Sequence, residues 1–277
     1  MEPSGYFDGV KSCRLYYQTW LPEGTPRAVV ALAHGVGEHC GRYGKLVGAL
    51  VSAGYAVAGY DMRGHGRSGG QRGHIDSWDD YRSDLGLFLE LVGRLFPGAP
   101  VFLYGHSQGS LVTLDYILRH PEGLRGAVLS GTALEPAGTA APPLLVLVAR
   151  TLSRLLPRFS MRVRLEGSCL SRDPEVAKAY MEDPLNHWYR SVRWGTEGLK
   201  TIAWIKSHAG DVRLPVLFLH GEMDPLVKVE GAKRFFEAIT YPDKAIRIYP
   251  GGLHEPHNDI QWQEVARDVI QWLEGHL

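Results

Sequence analysis

Gly105-His106-Ser107-Gln108-Gly109 follows the apolar run Pro-Val-Phe-Leu-Tyr at residues 100–104 and opens a helical run over residues 108–120. A strand, a sharp turn and a helix therefore meet at one serine. Such a turn forces the serine backbone into a strained conformation and lifts its hydroxyl clear of the sheet. The strand and helix backbones nearly touch there, so the residues two before and two after must be small, as Gly105 and Gly109 are. A glycine-rich turn that merely contains serine would show the same five letters, so the motif needs its context.

Outward from this turn, residues 6–10 and 14–20 read as an antiparallel hairpin. Strand patterns at 28–33, 55–60, 101–105, 124–130, 216–219 and 245–249 then alternate with helical patterns at 43–53, 78–96, 108–120, 229–240 and 260–273. Alternation of this kind predicts an α/β fold, with a mostly parallel eight-stranded sheet and helices on both faces. Residues 133–206 break the rhythm. Helical patterns at 142–157, 175–182 and 199–207 predict a helical cap inserted after the sixth strand, leaving residues 1–132 and 207–277 as the core. A cap there would lie over the strand C-termini, where open α/β sheets place ligands.

The 277 residues suit one large α/β domain or a domain with an insertion. Thirty basic residues balance 30 acidic ones, so no global field favours nucleic acid. Cys13, Cys40 and Cys169 have no metal-type spacing and read as free thiols of a reducing, cytoplasmic compartment. Residues 1–10 carry no secretory pattern, and no apolar run approaches the ~18 residues of a membrane span.

Serine is a weak nucleophile at neutral pH; it needs a base, and the base needs an orienting acid. On this architecture the partners follow in the order serine, acid, histidine. His220-Gly-Glu222-Met-Asp224 follows one late strand, and Pro250-Gly-Gly-Leu-His254 follows the next. Ser107, Asp224 and His254 are thus expected along one edge of the sheet, with Glu222 and His257 as rivals. Asp224 before Pro225 could also be a turn aspartate. Acyl transfer further needs two donors for an oxyanion. The Gln108 N–H at a helix start supplies one, and the Val36 N–H in His34-Gly-Val-Gly-Glu-His39 the other. These glycines match no phosphate-binding fingerprint. In Asp61-Met-Arg-Gly-His65-Gly-Arg-Ser68, Arg63 and His65 are read as braces rather than as a second acid–base pair. No histidine or carboxylate group has metal spacing, and the chemistry requires no cofactor.

Taken together, His34 through Arg42, Asp61 through Ser68, Gly-His-Ser107-Gln-Gly, Gly-Glu-Met-Asp224 and His254 through His257 resemble the monoacylglycerol lipase family of the α/β-hydrolase superfamily. The resemblance runs nearly the whole chain and is weakest in the cap. It implies the α/β-hydrolase fold and hydrolysis of a monoacylglycerol to glycerol and a fatty acid under a helical cap. It also implies that Glu38, Arg42 and His257 contact the glycerol head; a local Glu38–Arg42 ion pair is the plainer reading. Gln108 departs from the methionine frequent in the family, which changes local pocket shape but not the amide.

In the cap, Arg150, Arg154 and Arg158 recur every four residues, with Leu145, Leu152 and Leu156 expected opposite. Such a helix suits transient contact with an anionic lipid surface, or simply a packed cap with a solvated basic face. Rival activities on the same scaffold are a general carboxylesterase, a lysophospholipase and a peptidase. A non-catalytic binding protein usually lacks a member of the triad, and dehalogenase chemistry would need a carboxylate at position 107.

Overall fold

The computed structural model describes residues 4–137 and 143–277. The strands are β1 (Ser4–Gly9), β2 (Cys13–Trp20), β3 (Val29–Ala33), β4 (Ala56–Tyr60), β5 (Val101–His106), β6 (Gly126–Ser130), β7 (Ser160–Arg162), β8 (Tyr189–Ser191), β9 (Val216–Gly221) and β10 (Lys244–Tyr249). The helices are α1 (Gly44–Ser52), α2 (Trp78–Leu95), α3 (Gln108–Ile117), α4 (Pro143–Leu155), α5 (Pro174–Glu182), α6 (Val192–Ser207), α7 (Val229–Ala238) and α8 (Trp262–Glu274). Eight strands form one sheet in the order β1-β2-β4-β3-β5-β6-β9-β10. Only the pairings of β2 are antiparallel; the other pairs in this sheet run parallel.

Both faces of the sheet are covered, which explains why β3, β4, β6 and β9 are buried at every position. The side-chain alternation of a strand sorts β3 between two cores. Val29, Ala31 and Ala33 pack with Leu85, Phe88, Leu114 and Phe235 from α2, α3 and α7. Val30 and Leu32 pack with Leu46, Leu50, Val265 and Val269 from α1 and α8. Helix α2 starts at a Ser77/Asp80 capping box.

Register aligns the chemistry. Ala33 pairs Gly105, His106 pairs Ser130, Ser130 pairs Leu219, and Tyr249 pairs Gly221. The parallel strands β3, β5, β9 and β10 therefore end side by side, and the loops that leave them share one edge.

Between β6 and β9 the described residues form α4, α5 and α6, with two departures from the elements read in the sequence. Helix α6 begins at Val192, seven residues before the expected start, because Ser191 caps it by accepting from Trp194 N–H. The short β7–β8 ladder lacks the length and alternation that mark a strand, so it was not expected. Part of the expected 142–157 helix and the Leu145 side chain lie outside the described residues. The segment is tied to the core by His187 N–H to the Gly37 carbonyl (2.9 Å), Ser191 N–H to the Gly73 carbonyl (2.9 Å) and a His39–Asp183 contact (2.8 Å).

Candidate active site

Ser107 sits between β5 and α3 with φ 51° and ψ −114°, a left-handed conformation rare outside glycine. Its N–H donates to the Ser130 carbonyl at 2.9 Å, which ties the turn to the neighbouring strand. A Cβ on Gly105 would come within 2.6 Å of the Gly109 carbonyl oxygen, and one on Gly109 within 2.6 Å of the His34 oxygen. The two glycines are thus set by the close approach of β5, α3 and the end of β3.

His254 Nε2 lies 2.9 Å from Ser107 Oγ, and His254 Nδ1 lies 2.7 Å from Asp224 Oδ2. The Asp224 carboxylate is anchored on its other side. Oδ1 accepts the N–H groups of Leu226 (2.8 Å) and Val227 (3.0 Å), and His220 Nε2 lies 3.2 Å from Oδ2. Burial opposes the Asp224 charge, but His254 and the hydrogen bonds from His220 and His254 outweigh it and hold the carboxyl well below its ordinary range. Burial likewise opposes the His254 charge, yet Asp224 holds that imidazole above its ordinary value. Glu222, the rival acid, is exposed and accepts from Gly251 N–H. Asp61 is spent on Cys40 N–H (2.9 Å) and Arg67 N–H (2.7 Å), and Arg63 on Asp84 (2.6 Å). The Asp61 loop is therefore a brace.

Val36 and Gln108 both line the cavity beside Ser107. Gln108 opens α3, so its N–H has no acceptor within the helix. Among the described residues nothing accepts the Val36 N–H. Trp194 Nε1 donates to Gln108 Oε1 at 2.7 Å, fixing this side chain from the inserted segment.

Glu38, Arg42 and His257 come together, but not all on the cavity wall. Arg42 bonds to Glu38 and bidentately to Glu255 (2.7 and 2.9 Å). Tyr43 Oη donates to Glu38 at 2.7 Å, and Asn258 Nδ2 to Glu255 at 2.8 Å. Glu38 and Glu255 line the cavity, whereas Arg42 and His257 are absent from its lining. His257 stacks on Tyr43 with ring centroids 4.5 Å apart, and burial pushes it down to about 4. Burial opposes the Glu255 charge, and Arg42 holds it down to about 2. Ligand atoms of Glu38, His106 and Glu255 fall within 4.8 Å of one another, but Arg42 already supplies the cation that such a cluster would bind.

The cavity encloses about 570 Å³. Leu165, Leu170, Leu199 and Ile202 of the inserted segment line it with Leu111 of the core. It is therefore apolar over most of its wall, with polar groups gathered near the serine. Sequence reasoning missed His220, Tyr180, Trp194 and Glu255. Only Glu255, adjacent to His254, and His220, four residues before Asp224 at a strand end, carried a local signal.

The family described as Serine aminopeptidase, S33 matches residues 24–261. A monoacylglycerol lipase from Mycolicibacterium smegmatis is 34% identical over 272 residues, spanning 98% of this chain and 96% of that one. A monoglyceride lipase from Rattus norvegicus is 32% identical, spanning 92% and 84%. The crystal structure of a monoacylglycerol lipase from Paleococcus ferrophilus superposes with a TM-score of 0.85 at 35% identity, covering 95% of this chain and 99% of that one.

Proposed function

Because the chain belongs to the monoacylglycerol lipase family of the α/β-hydrolase superfamily, and is a carboxylic ester hydrolase, we propose that its substrate is a monoacylglycerol and that Ser107, His254 and Asp224 carry the reaction. One observation carries this reading. A strained serine lies 2.9 Å from a histidine that is 2.7 Å from a buried aspartate, at the polar end of an otherwise apolar cavity.

Ser107 Oγ attacks the ester carbonyl as His254 Nε2 takes its proton. Asp224 keeps the Nδ1–H tautomer and stabilises the imidazolium. The Val36 and Gln108 amides bind the oxyanion; loss of one such donor costs on the order of 3 kcal/mol in barrier. His254 then protonates the departing glycerol oxygen. Water attacks the acyl-enzyme with His254 as base, releasing the fatty acid. Glu38 and Glu255 face the glycerol hydroxyls, with Arg42 holding both carboxylates from behind and His257 stacked on Tyr43. Residues 133–206 act as a cap over the core formed by 1–132 and 207–277, and their apolar side chains take the acyl chain.

The cap also offers an outer surface for lipid. Helix α4 exposes Leu147, Val148 and Leu155 beside Arg150 and Arg154, and Leu156 and Phe159 continue the exposed apolar run. Leu156 thus shares the solvent side with the arginines instead of opposing them. The packed side is carried by Ala149, on the cavity wall, and Ser153, bonded to Thr196. Apolar side chains flanked by arginines suit transient contact with an anionic bilayer surface. Among the described residues no helix is long and apolar enough to cross a membrane.

The test is turnover across monoacylglycerols of graded chain length, against alkyl esters, lysolipids and aminoacyl amides, together with organophosphonate labelling. Ser107→Ala should abolish turnover and labelling while keeping the fold. Turnover of amides in preference to glycerol esters would overturn the substrate assignment. Glutamine at 150, 154 and 158 should weaken binding to anionic vesicles, and unchanged binding would exclude the surface role.

A further inference from the structure

Arg190 is a charge that the hydrolysis of a neutral ester leaves unused. It lines the cavity that contains Ser107. Its Nη1–H donates to the carbonyl of its own neighbour Tyr189 at 2.7 Å, and Nη2 reaches the Val36 carbonyl only at 3.5 Å. Among the described residues no carboxylate pairs with it, whereas Arg42 in the same site has two. Burial pushes Arg190 down to about 10, with only the phenols of Tyr180 and Tyr81 acting against it.

The guanidinium is nonetheless well placed. Its carbon lies 5.4 Å over the Trp194 ring, and that indole is bonded to Gln108, the residue after the nucleophile. A Cβ on Gly37 would come 3.0 Å from Nη2, so the glycine leaves room for the fork. Tyr180 also lines the cavity, is 2% exposed, and has a hydroxyl with no partner among the described residues. A cation without a counter-ion and a phenol without an acceptor therefore share the wall near the serine. An apolar cavity does not hold a bare charge without cost, and an anion that pairs with it recovers part of that cost.

We propose that Arg190, with the Tyr180 hydroxyl, forms a subsite for an oxyanionic group, phosphate or carboxylate, carried by an amphiphile in the cavity. Guanidinium presents a planar fork of donors that suits both groups. Two sources fit. One is the phosphate of a lysophosphatidate, whose ester would be cleaved with water to fatty acid and glycerol phosphate by the same triad. The other is the carboxylate of the released fatty acid, which would make the product an inhibitor. The inference rests on the ester-hydrolase reading above.

The experiment compares wild type, Arg190→Gln and Arg190→Lys on 1-oleoylglycerol and 1-oleoyl lysophosphatidate, with oleate as inhibitor. A charge-assisted contact of this kind is worth about tenfold. If the phosphate source holds, Arg190→Gln lowers the ratio of kcat/KM for lysophosphatidate over oleoylglycerol about tenfold, and the lysine restores part of it. If the carboxylate source holds, the glutamine instead raises the oleate inhibition constant about tenfold. A ratio and an inhibition constant both within twofold of wild type, with the variants melting normally, overturn the subsite. Calorimetric titration of oleate and lysophosphatidate into Ser107→Ala, with and without Arg190→Gln, reads the same contact without turnover. Failure of all proteins to hydrolyse either ester or to take a phosphonate would instead overturn the ester-hydrolase reading.

Discussion

Replacing Asp224 with asparagine tests the orientation of the base most directly. The two oxygens of Asp224 do different work. Oδ1 accepts from Leu226 and Val227 N–H, while Oδ2 faces His254 Nδ1 and His220 Nε2. An asparagine keeps the two main-chain bonds only by pointing its carbonyl at them, which turns its NH₂ toward His254. That group donates, so Nδ1 must accept and the ring proton moves to Nε2. Nε2 then cannot take the Ser107 proton. Loss of the correct tautomer costs about 10⁴ in kcat where a serine triad uses an aspartate this way. At ~1.36 kcal/mol per decade that is roughly 5.4 kcal/mol of barrier.

The pH profile supplies a second readout. Only neutral His254 acts as base, and Asp224 raises its pKa against the opposing effect of burial. Wild-type kcat/KM should therefore rise with pH through an apparent value above 6.5, the ordinary one for histidine. In Asp224→Asn burial remains and the largest raising charge is gone, leaving only Glu255 and Glu38 to act against burial, so the acid limb should move down. Initial rates on a short-chain ester from pH 5 to 9 measure both effects. A loss of less than about tenfold, or an unmoved acid limb, would refute the assignment of Asp224 as the orienting acid.

Three further outcomes follow from packing and linkage. Arg42→Met leaves Glu38 and Glu255 buried without their cation, which should cost about 3–5 kcal/mol in denaturant unfolding, and adding Glu38→Gln and Glu255→Gln should recover part of it. Gly109→Ala drives a methyl into the Ala33 and His34 carbonyls and should abolish activity or folding, while Gly48→Ala, with nothing within 4 Å, should be neutral or stabilise by about 0.4–1 kcal/mol. Stability, followed by melting temperature, should fall with pH in two windows. His257, held neutral down to about 4, loses stability between 6.5 and 4 because the unfolded chain takes up the proton first; Glu255, depressed to about 2, loses its contribution between 4.5 and 2.

The parallel core was legible because buried strands announce themselves as apolar runs punctuated by glycine, and the residues just past their ends share an edge whatever the loops do. Ser107, Asp224 and His254 each stand just past such an end, in β5, β9 and β10. The cavity wall was harder to read. Tyr180 and Trp194 come from α5 and α6, whose amphipathic patterns say which face is apolar but not what that face meets. Trp194 matters because its indole finds Gln108, 86 residues earlier, and no local pattern encodes that meeting. His220 was read as part of a strand-end turn; its buried contact with Asp224 depends on the bend of residues 221–224 back over β9. The β7–β8 ladder exists only because residues 27 positions and more apart are brought together by the packing of the segment as a whole.

Charge within the site bears on catalysis as well as on binding. His254 becomes an imidazolium at the transition state, and His106 and His257 are close neighbours. The His106 ring lies 4.9 Å from His254 and 4.8 Å from His257, centroid to centroid. A proton on either would repel the one forming on His254. Burial pushes both rings down, so both are neutral when His254 charges. Glu38 and Glu255 act in the opposite sense, adding to the attraction that Asp224 begins. The cluster at the polar end thus stabilises the same cation it sits beside, while Arg42 keeps Glu255 ionised. Glu255→Gln should then lower the acid limb of kcat/KM in the same direction as Asp224→Asn but by less, with kcat on the alkaline plateau falling far less than for Asp224→Asn. An upward shift, or none, would refute a raising role for the Glu255 charge at His254 and leave the carboxylates to serve binding alone.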